Sequence, residues 1–595
     1  RLLVSAAAGS GKTKVLVDRL MAYLTDPNDP ADLDEFLIIT YTKAAASELR
    51  GKIAAKLTEK IAEDPENRQL QKQMQRLFLT KISTVHGFCA DILRQYAYRL
   101  DIAPDFRVAD ENECREIRET VMGEVLDGAY ESAHEDGDFR VFVDTQGLGR
   151  SDYLVPEIVE RVYDSAMCHL DPQGWLDRCL AAAACEGLTD VAQTPWGEYL
   201  IWDLQETLDA ELRVLGICLK ELGKDPAMEK FEVHIRSLTV QLEELRRCET
   251  WDAVVAARNI DYGRFPAVRK NIDQELKDRV KAARDACRKT LDRKLRFFAD
   301  PSEQVFADVG QTSAAARGLI ALVRRFEAAF RQAKRSRRVM DFSDLEQRTL
   351  DILLGKNRSS PTASAREIGG RFREIMVDEY QDSNAVQDAI FTALTGARNN
   401  CFMVGDVKQS IYQFRLADPG IFLEKYNSYG PAGEAKPGEG RKVLLSHNFR
   451  SGVEVIEGVN HVFRTCMSPR VGGLHYGEDE ALKQWIPTAP LGRPGVELHV
   501  LTTEEDKYSG EAAYVADRIQ NMLAEKVTVR SKEGMRPVEP DDIVILLRSP
   551  GSIGPDFQQA LEAGCGCVID CAIDMDTMVH PMVPGGAPVT DFLLD

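Results

Sequence analysis

Short apolar runs and longer amphipathic stretches alternate along the first hundred residues of the chain. Residues 2–5, 36–41 and 82–84 are apolar and short enough to be buried strands. The stretch from 44 to 61 is rich in alanine, and its composition favours a helix. Strands that alternate with helices predict a parallel sheet. We therefore expect an α/β lobe, with helices on both faces of its sheet, that begins with residues 1–108.

Residues 109–340 show a different pattern, in which charged amphipathic helices follow one another without an intervening strand. One helix spaces its leucines by three and four residues, which puts them on a single face. These leucines are Leu208, Leu212, Leu215, Leu219 and Leu222. The region predicts a large all-helical insertion. Apolar strands return at 374–377 and 401–404, so residues 341–430 are expected to complete the first lobe.

Glycine and proline are frequent between residues 430 and 440, and this composition predicts a flexible linker at 431–441. A second α/β lobe is expected to begin over residues 442–570. Its helices are predicted at about 509–526 and 555–563. Its strands are predicted at 442–446, 496–501, 543–547 and 568–570. The segment 571–595 stays unassigned, as a candidate for the start of a further subdomain.

A phosphate-binding loop is predicted between the first strand and an apolar-periodic helix. Its sequence is Ala6-Ala7-Ala8-Gly9-Ser10-Gly11-Lys12-Thr13. Glycines allow backbone N–H groups to converge on phosphates, and a helix N-terminus adds positive potential. We expect Lys12 to reach the β- and γ-phosphates of ATP, and the Thr13 hydroxyl to hold Mg²⁺. Ala6 departs from the general pattern, which has glycine at that position.

Two carboxylates, Asp378 and Glu379, follow the strand at 374–377. In a parallel α/β sheet, ligands bind at the carboxyl ends of the strands. Asp378 can complete the Mg²⁺ shell there, and Glu379 can orient and deprotonate the attacking water. Alone, the pair would more often be a solvated acidic turn. Together with the phosphate loop it is expected to be catalytic.

The strand at 401–404 leads into the segment GDVKQSIYQFR at 405–415. Gln409 is a candidate sensor of the γ-phosphate. Tyr412 and Phe414 follow it beside Arg415, and aromatic rings next to cations form platforms on which bases stack. The alternative, that these rings belong to the core, stays open, above all for Tyr412.

The strand at 442–446 runs into His447-Asn448-Phe449-Arg450-Ser451. Arg450 is expected to clamp the γ-phosphate from the second lobe, and Phe449 to stack on adenine. ATP would then lie between the two lobes.

The densest basic cluster comprises Arg331, Lys334, Arg335, Arg337 and Arg338. It predicts either contact with nucleic-acid phosphates or a solvated helix face, and the sequence does not decide between them. Asp341 is expected to cap a new helix, with Asp344 three residues on.

Composition narrows the classes of function. The 595 residues include 75 Lys and Arg against 95 Asp and Glu, a net charge of −20. This excludes a wholly electrostatic nucleic-acid coat protein but allows a basic cleft.

The apolar runs are far shorter than the ~20 residues of a membrane span, and no secretory leader is recognised. Cysteines without a framework spacing favour reduced thiols, and Cys565, Cys567 and Cys571 are one thiol short of a structural zinc site. A cytoplasmic protein without a membrane partner is expected.

Together these segments resemble the motifs of superfamily 1 helicases of the UvrD/RecB type. The matches are residues 6–13 to motif I, 40–50 to Ia, 83–89 to Ib, 378–382 to II, 405–415 to III and 445–451 to IV. The resemblance implies two RecA-like lobes, 1A and 2A, with the helical insertion as subdomain 1B and subdomain 2B beyond. It also implies an ATP-driven DNA helicase. The DNA contacts that it implies are Thr40, Tyr41, His86, Tyr412 and Phe414.

Within that group, residues 4–13 and 340–345 resemble the AddA family, which supplies the motor of bacterial AddAB helicase-nuclease complexes. The resemblance implies 3′ to 5′ movement, a role in double-strand break repair by recombination, and an AddB-type nuclease as the partner subunit. Its DNA would be a single strand and a duplex end. The chain is expected to be part of a longer protein that adds a glutamine motif before Arg1 and motifs V and VI after Asp595. The nuclease domain is then expected in that parent protein only.

Other functions stay open. One is a single-subunit repair helicase of the UvrD kind, against which the long insertion and residues 340–345 argue. Another is a non-catalytic, nucleotide-gated DNA-binding module, because motifs V and VI are not in this sequence. A P-loop kinase would have no use for Gln409 or for the Asn448-Phe449-Arg450 element.

Overall fold

The computed structural model describes residues 1–100, 102–147, 152–267, 272–436, 438–485, 493–502, 507–531, 534–547 and 550–565. These residues fall into two compact units. The first comprises Arg1–Ala6 and Lys12–Leu445, and the second comprises Ala7–Gly11 and the described residues from Ser446 onward.

A seven-stranded parallel sheet organises the first unit. Its strands are β1 (Leu2–Ala6), β2 (Phe36–Thr40), β3 (Lys81–Thr84), β4 (Glu374–Val377), β5 (Cys401–Gly405), β6 (Gly430–Pro431) and β7 (Arg441–Leu445). They lie in the order β3-β2-β4-β5-β1-β7-β6. All six pairings are parallel, and Val4, for example, lies between Val404 and Val443. The α/β fold with a parallel sheet is confirmed.

Helices cover both faces of this sheet. They are Lys12–Leu24, Lys43–Glu63, Arg68–Arg76, Val85–Tyr96, Phe342–Leu354, Ala363–Gly370, Ala385–Thr395 and Pro419–Ser428. Leu16 and Ile53 of the first two helices pack on Ile38 and Met376 of the sheet. The intervening Ile39 points to the other face and is equally buried.

The insertion is helical, as the sequence predicts. Its helices are Glu111–Glu131, Gly137–Gly147, Val155–Met167, Pro172–Ala184, Pro195–Leu222, Glu229–Arg246, Trp251–Ala257, Gln274–Leu295 and Ser302–Ser336. They form two apolar clusters. The predicted leucine face lies in the second cluster, where Leu208, Leu215 and Leu222 are buried. Short strands at the two ends of the insertion, Arg107–Val108 and Val339–Met340, pair in parallel.

The predicted boundary between the lobes requires a correction. The strand expected to open the second lobe is β7, which pairs with β1 and therefore belongs to the first sheet. The predicted linker is anchored at both ends, because Gly430 and Pro431 pair with Arg441 and Lys442. Backbone hydrogen bonds thus hold this segment to the first unit, and the second unit resumes at Ser446.

The second unit contains the helices Val453–Cys466, Lys507–Ala524 and Pro550–Cys565. His447–Asn448 pairs with Lys483–Gln484, and Thr528–Ser531 pairs with Gly534–Pro537. The strands predicted at 496–501 and 543–547 are wrong, since these described residues pair with no described strand. Leu498 and Leu546 are each 89% exposed. Apolar alternation alone does not supply the neighbouring strand that a stable strand needs. Residues 568–570 and 571–595 lie outside the described residues.

No helix among the described residues combines the length and hydropathy that a membrane span requires.

Candidate functional site

The predicted phosphate loop is the turn that joins β1 to the helix Lys12–Leu24. Gly9 and Gly11 have φ angles of +71° and +85°, in the left-handed region where only glycine is unstrained. The amide of Ser10 donates to the carbonyl of Ala7 at 3.0 Å and tightens the turn. The helix begins at Lys12 with its N-terminus at the loop, so its free N–H groups and dipole favour an anion there.

Asn448 packs on this loop within the second unit. Its side-chain amide donates to the carbonyl of Ala8 at 2.8 Å, and the neighbouring backbone N–H of Phe449 donates to the carbonyl of Gly9 at 2.9 Å. A Cβ atom on Gly9 would lie 2.6 Å from Nδ2 of Asn448. Phe449 and Arg450 are predicted site residues, whereas the contact of Asn448 with the loop was not predicted. The sequence offers a weak signal for this residue, because Asn is common in turns where its side chain accepts hydrogen bonds from backbone N–H groups two or three residues ahead.

Lys12 joins the phosphate loop to two of the predicted catalytic residues. Its Nζ atom donates to Oε2 of Glu379 at 2.5 Å and to Oε1 of Gln409 at 3.1 Å. Gln409 is held from its other end, because its Nε2 atom donates to Oδ2 of the buried Asp406 at 2.8 Å. Glu379 has a φ of +48°, in the left-handed region that is strained for residues other than glycine. The three predicted residues therefore meet at the carboxyl ends of β4 and β5.

Two half-buried carboxylates, Asp378 and Asp382, lie beside that meeting point. Burial, and then the charge of Glu379, raise the pKa of Asp378 to about 6. Burial and the charge of Glu379 likewise raise the pKa of Asp382 to about 6. Oδ1 of Asp382 is buried and has no hydrogen-bond partner among the described residues. A cation beside these carboxylates would favour their charged forms.

The donors at the site suit Mg²⁺. Thr13 supplies a hydroxyl in the first helical turn, and Asp378 and Asp382 supply carboxylate oxygens, one of them unpartnered among the described residues. These are hard oxygen ligands, and Mg²⁺ is commonly held by one or two carboxylates together with substrate phosphates. The described residues contain no group of three or more His, Cys, Asp or Glu arranged for a metal. Asp382 is a candidate that the sequence analysis did not single out.

A cavity of about 480 Å³ connects the carboxylates with the predicted DNA contacts. Its wall includes Asp378, Glu379, Gln409, Tyr41 and Tyr412. Thr40 also borders it but is buried, with its hydroxyl donated to the carbonyl of Thr42. The hydroxyl of Tyr41 lies 2.5 Å from that of Ser383, directly after the motif II segment. The predicted hydrolysis and DNA-contact residues thus share one wall of the first unit.

Tyr412 and Phe414 are surface residues and are not part of the core. They are 37% and 75% exposed, and their ring centroids lie 5.9 Å apart. The guanidinium of Arg415 lies 5.4 Å and 5.6 Å from the two centroids. The exposed rings and the cation have the arrangement of a base-stacking platform.

His86 lies in the first turn of the helix Val85–Tyr96, which Thr84 caps. Its ring stacks on Phe342, with 4.2 Å between centroids, and its Nε2 atom lies 3.1 Å from Oε1 of Glu346. Glu346 is buried, and it also accepts from Nε2 of Gln387 at 2.7 Å. A predicted DNA contact is therefore tied to the helix that follows motif II. Glu346 was not predicted, because nothing local marks a buried glutamate on an amphipathic helix.

Phe449 and Arg450 lie in the second unit. Phe449 is 49% exposed and contacts Trp485, with 5.6 Å between ring centroids. The side chain of Arg450 is exposed, and its backbone N–H donates to Oδ1 of Asn448 at 2.8 Å. Both side chains are accessible to a ligand of that unit.

One member of the basic cluster has a structural role. Lys334 is buried, and its Nζ atom lies 2.7 Å from Oδ2 of both Asp341 and Asp344. The predicted cap is confirmed, since Asp341 and Asp344 form a reciprocal capping box at the helix Phe342–Leu354. Lys334 compensates these buried carboxylates and is therefore excluded as a phosphate contact.

Comparison with known proteins agrees with this geometry. Residues 1–430 match the family model of the UvrD/REP helicase N-terminal domain. The chain is 38% identical over 520 residues to the A-type subunit of the ATP-dependent helicase/nuclease of Moorella thermoacetica, covering 84% of this chain and 36% of that protein. It is 35% identical over 590 residues to the protein of the same name from Geobacillus thermodenitrificans, covering 94% and 47%. The chain therefore spans less than half the length of these curated relatives.

Proposed function

Because the chain belongs to the UvrD/REP helicase family, we propose that it is the ATP-hydrolysing part of a motor that moves along single-stranded DNA. The observation that carries this proposal is the meeting of Lys12, Glu379 and Gln409 at the carboxyl ends of β4 and β5. The core of an NTP-hydrolysis site consists of a phosphate-binding lysine, a carboxylate suited to activate water, and a side-chain amide within reach of both.

Each residue has a distinct part in the proposed reaction. Lys12 exchanges Glu379 for the β- and γ-phosphates when ATP binds, which frees the Glu379 carboxylate to accept a proton from the attacking water. Gln409, anchored by Asp406, contacts the γ-phosphate. Thr13 and Asp378, with Asp382 as a further candidate, would hold Mg²⁺, which would neutralise charge on the phosphates.

Within the second unit, the proposal gives parts to Asn448, Phe449 and Arg450. Asn448 holds the carbonyl side of the loop at Ala8. Phe449 offers an exposed ring to adenine, and Arg450 offers a cation to the γ-phosphate. The DNA side of the motor comprises Tyr41, His86, Tyr412 and Phe414, with Thr40 supporting Tyr41 from within β2.

Beyond this reaction, we propose that the chain acts as the AddA-type component of an AddAB helicase-nuclease in double-strand break repair by recombination. Its relatives, which are named as the A-type subunits of ATP-dependent helicase/nucleases, support this assignment. The partner would be an AddB-type nuclease, the substrate a duplex end with its single strand, and the direction of movement 3′ to 5′. The reaction would take place in the cytoplasm.

The test is ATP turnover by the 595-residue chain, with and without single-stranded DNA, beside two lysine variants. Lys12→Ala removes the phosphate contact, whereas Lys14→Ala removes an exposed lysine two residues later on the same helix. We expect DNA-stimulated turnover in the wild type and in Lys14→Ala, and neither nucleotide binding nor turnover in Lys12→Ala. Equal nucleotide affinity in all three proteins would refute the site. Nucleotide-dependent DNA binding without turnover would indicate the non-catalytic module instead.

A further inference from the structure

A second cavity, of about 780 Å³, lies in the first unit at the root of the helical insertion. Its walls come from the end of the helix Ser302–Ser336, from Leu100, Ile102, Ala103 and Phe106, and from the helix Phe342–Leu354. We call it the root cavity. Its volume is within the range of about 300–1,000 Å³ that is usual for ligand sites. It shares no lining residue with the cavity beside the motif II carboxylates.

The root cavity is lined by both basic and apolar residues. Its cations are Arg331, Lys334, Arg335, Arg338 and Arg348, whereas Asp344 is its one acidic lining residue among those that the structure describes. Leu100, Phe106 and Val339 form part of the apolar wall. Lys334 is neutralised by Asp341 and Asp344, so the four arginines are the lining cations that could bind an anion. In a chain with a net charge of −20, such a concentration of cations is local and specific.

The arginines have carboxylate partners that a phosphate could replace. Arg331 pairs with Glu327 at 2.5 Å, and Arg338, which is 70% exposed, pairs with Asp105 at 3.4 Å. Both partners of the Arg338–Asp105 pair are exposed, whereas Glu327 is 17% exposed beside the more exposed Arg331. Exposed ion pairs contribute little to stability, so the guanidinium of Arg338 in particular can turn to another anion at small cost. Arg338 also has a φ of +54°, a left-handed conformation that is uncommon outside glycine.

The helix dipole explains only part of this cluster. Cations are favoured in the last turn of a helix, which accounts for Lys334 and Arg335 at the end of Ser302–Ser336. Arg348 comes from the middle of a different helix and faces the same cavity. Its guanidinium lies 3.3 Å from Oδ2 of Asp351, three residues on in the same helix, so Arg348 is also a paired cation of the cavity.

We propose that the root cavity binds the sugar–phosphate backbone of single-stranded DNA, with Arg331, Arg335, Arg338 and Arg348 contacting phosphates and the apolar wall contacting a sugar or base. This site rests on the proposed function and adds to the DNA contacts of motifs Ia, Ib and III. Arg331 and Arg335 are one helical turn apart, about 6 Å along the axis, and Arg348 is on a second helix. This spread suits successive phosphates of a strand better than a single free anion.

The test compares two double charge reversals by the salt dependence of single-strand binding. Arg331→Glu/Arg335→Glu alters the root cavity. Arg213→Glu/Lys289→Glu makes the same change of charge at exposed helical positions elsewhere in the insertion. Each phosphate contact on a single strand contributes about 0.7 to the slope of log K against log salt. We expect the cavity variant to have a slope lower by about 1.4 and the control variant to keep the wild-type slope. ATP affinity without DNA should be the same in all three proteins.

Other outcomes separate the proposals. Equal slopes in the two variants would overturn the DNA site in the root cavity while leaving the proposed function intact. Absence of single-strand binding by the wild type would overturn both. Inorganic pyrophosphate and polyglutamate serve as probes for other anions. If either bound the wild type, lost affinity only in the cavity variant, and the DNA slopes stayed equal, the cavity would belong to a free anion or an acidic polypeptide.

Discussion

The side-chain amide of Asn448 donates a hydrogen bond of 2.8 Å to the carbonyl oxygen of Ala8, a residue 440 positions earlier in the chain. Asn448 is buried, and its Oδ1 atom accepts from the backbone N–H groups of Arg450 and Ser451. One side chain therefore fixes both the phosphate loop and the turn that carries the predicted γ-phosphate arginine.

Asn448→Ala is expected to weaken nucleotide binding. The variant leaves the Ala8 carbonyl and two backbone N–H groups without this partner, and a buried unsatisfied polar group costs about 1–3 kcal/mol. If this free energy is lost from nucleotide binding, the Kd for a fluorescent ATP analogue should rise roughly 5- to 150-fold. Asn448→Asp separates the two functions, because it keeps the acceptor for Arg450 and Ser451 but loses the donor to Ala8. Wild-type affinity in both variants would show that the loop holds its shape without Asn448.

Glu379→Gln is expected to separate binding from hydrolysis. The variant removes the base, which should lower kcat by a factor of about 10²–10⁴. It also removes the charge that pairs with Lys12 in the absence of nucleotide. Since Glu379 is 41% exposed, that pair contributes at most about 1 kcal/mol, so ATP should bind up to roughly five-fold more tightly. Equilibrium binding and single-turnover hydrolysis measure the two effects. Weaker binding together with a normal rate would contradict both assignments.

The sequence predicted the parts of the site that follow from local pattern. Lys12, Asp378 and Gln409 each come shortly after an apolar strand, and parallel strands bring their carboxyl ends to one edge. The order of the strands in the sheet was not predictable from that pattern. This is why β7 was assigned to the second lobe, although it pairs with β1.

The residues that were missed depend on contacts between distant parts of the chain. Asn448 meets Ala8, and Glu346 meets His86, across hundreds of residues. Neither side chain stands out in its own segment, and no periodicity encodes its partner. At residues 496–501 the local pattern predicted a strand that the structure does not have. Their apolar pattern is typical of a strand, but a strand also needs a neighbouring strand to satisfy its backbone hydrogen bonds.

Phe414→Ala is expected to weaken binding of single-stranded DNA. A base stacked on an aromatic side chain contributes about 1–3 kcal/mol, so the Kd should rise roughly 5- to 150-fold. Phe78→Ala is a matched control, because Phe78 and Phe414 are both 75% exposed and both belong to the first unit. Fluorescence anisotropy with a labelled oligonucleotide measures the affinities. An equal effect of the two variants would assign the loss to general surface hydrophobicity rather than to a stacking platform.

Glu346→Gln is expected to reduce the stimulation of hydrolysis by DNA while leaving the rate without DNA unchanged. The two carboxylate oxygens of Glu346 face donors from His86, Gln387 and Asn384. Glutamine offers one oxygen and places a further N–H group among those donors, so the link from His86 to the helix after motif II is broken. Changes along a coupling route alter it by about 0.5–2 kcal/mol, which corresponds to a loss of stimulation of roughly 2- to 30-fold. Glu424→Gln, at an exposed position on another helix, is the control.

If Glu346 acts through His86, then adding His86→Ala to Glu346→Gln should cause little further loss. Additive losses would mean that the two side chains act independently, and that Glu346 supports the fold without relaying the presence of DNA.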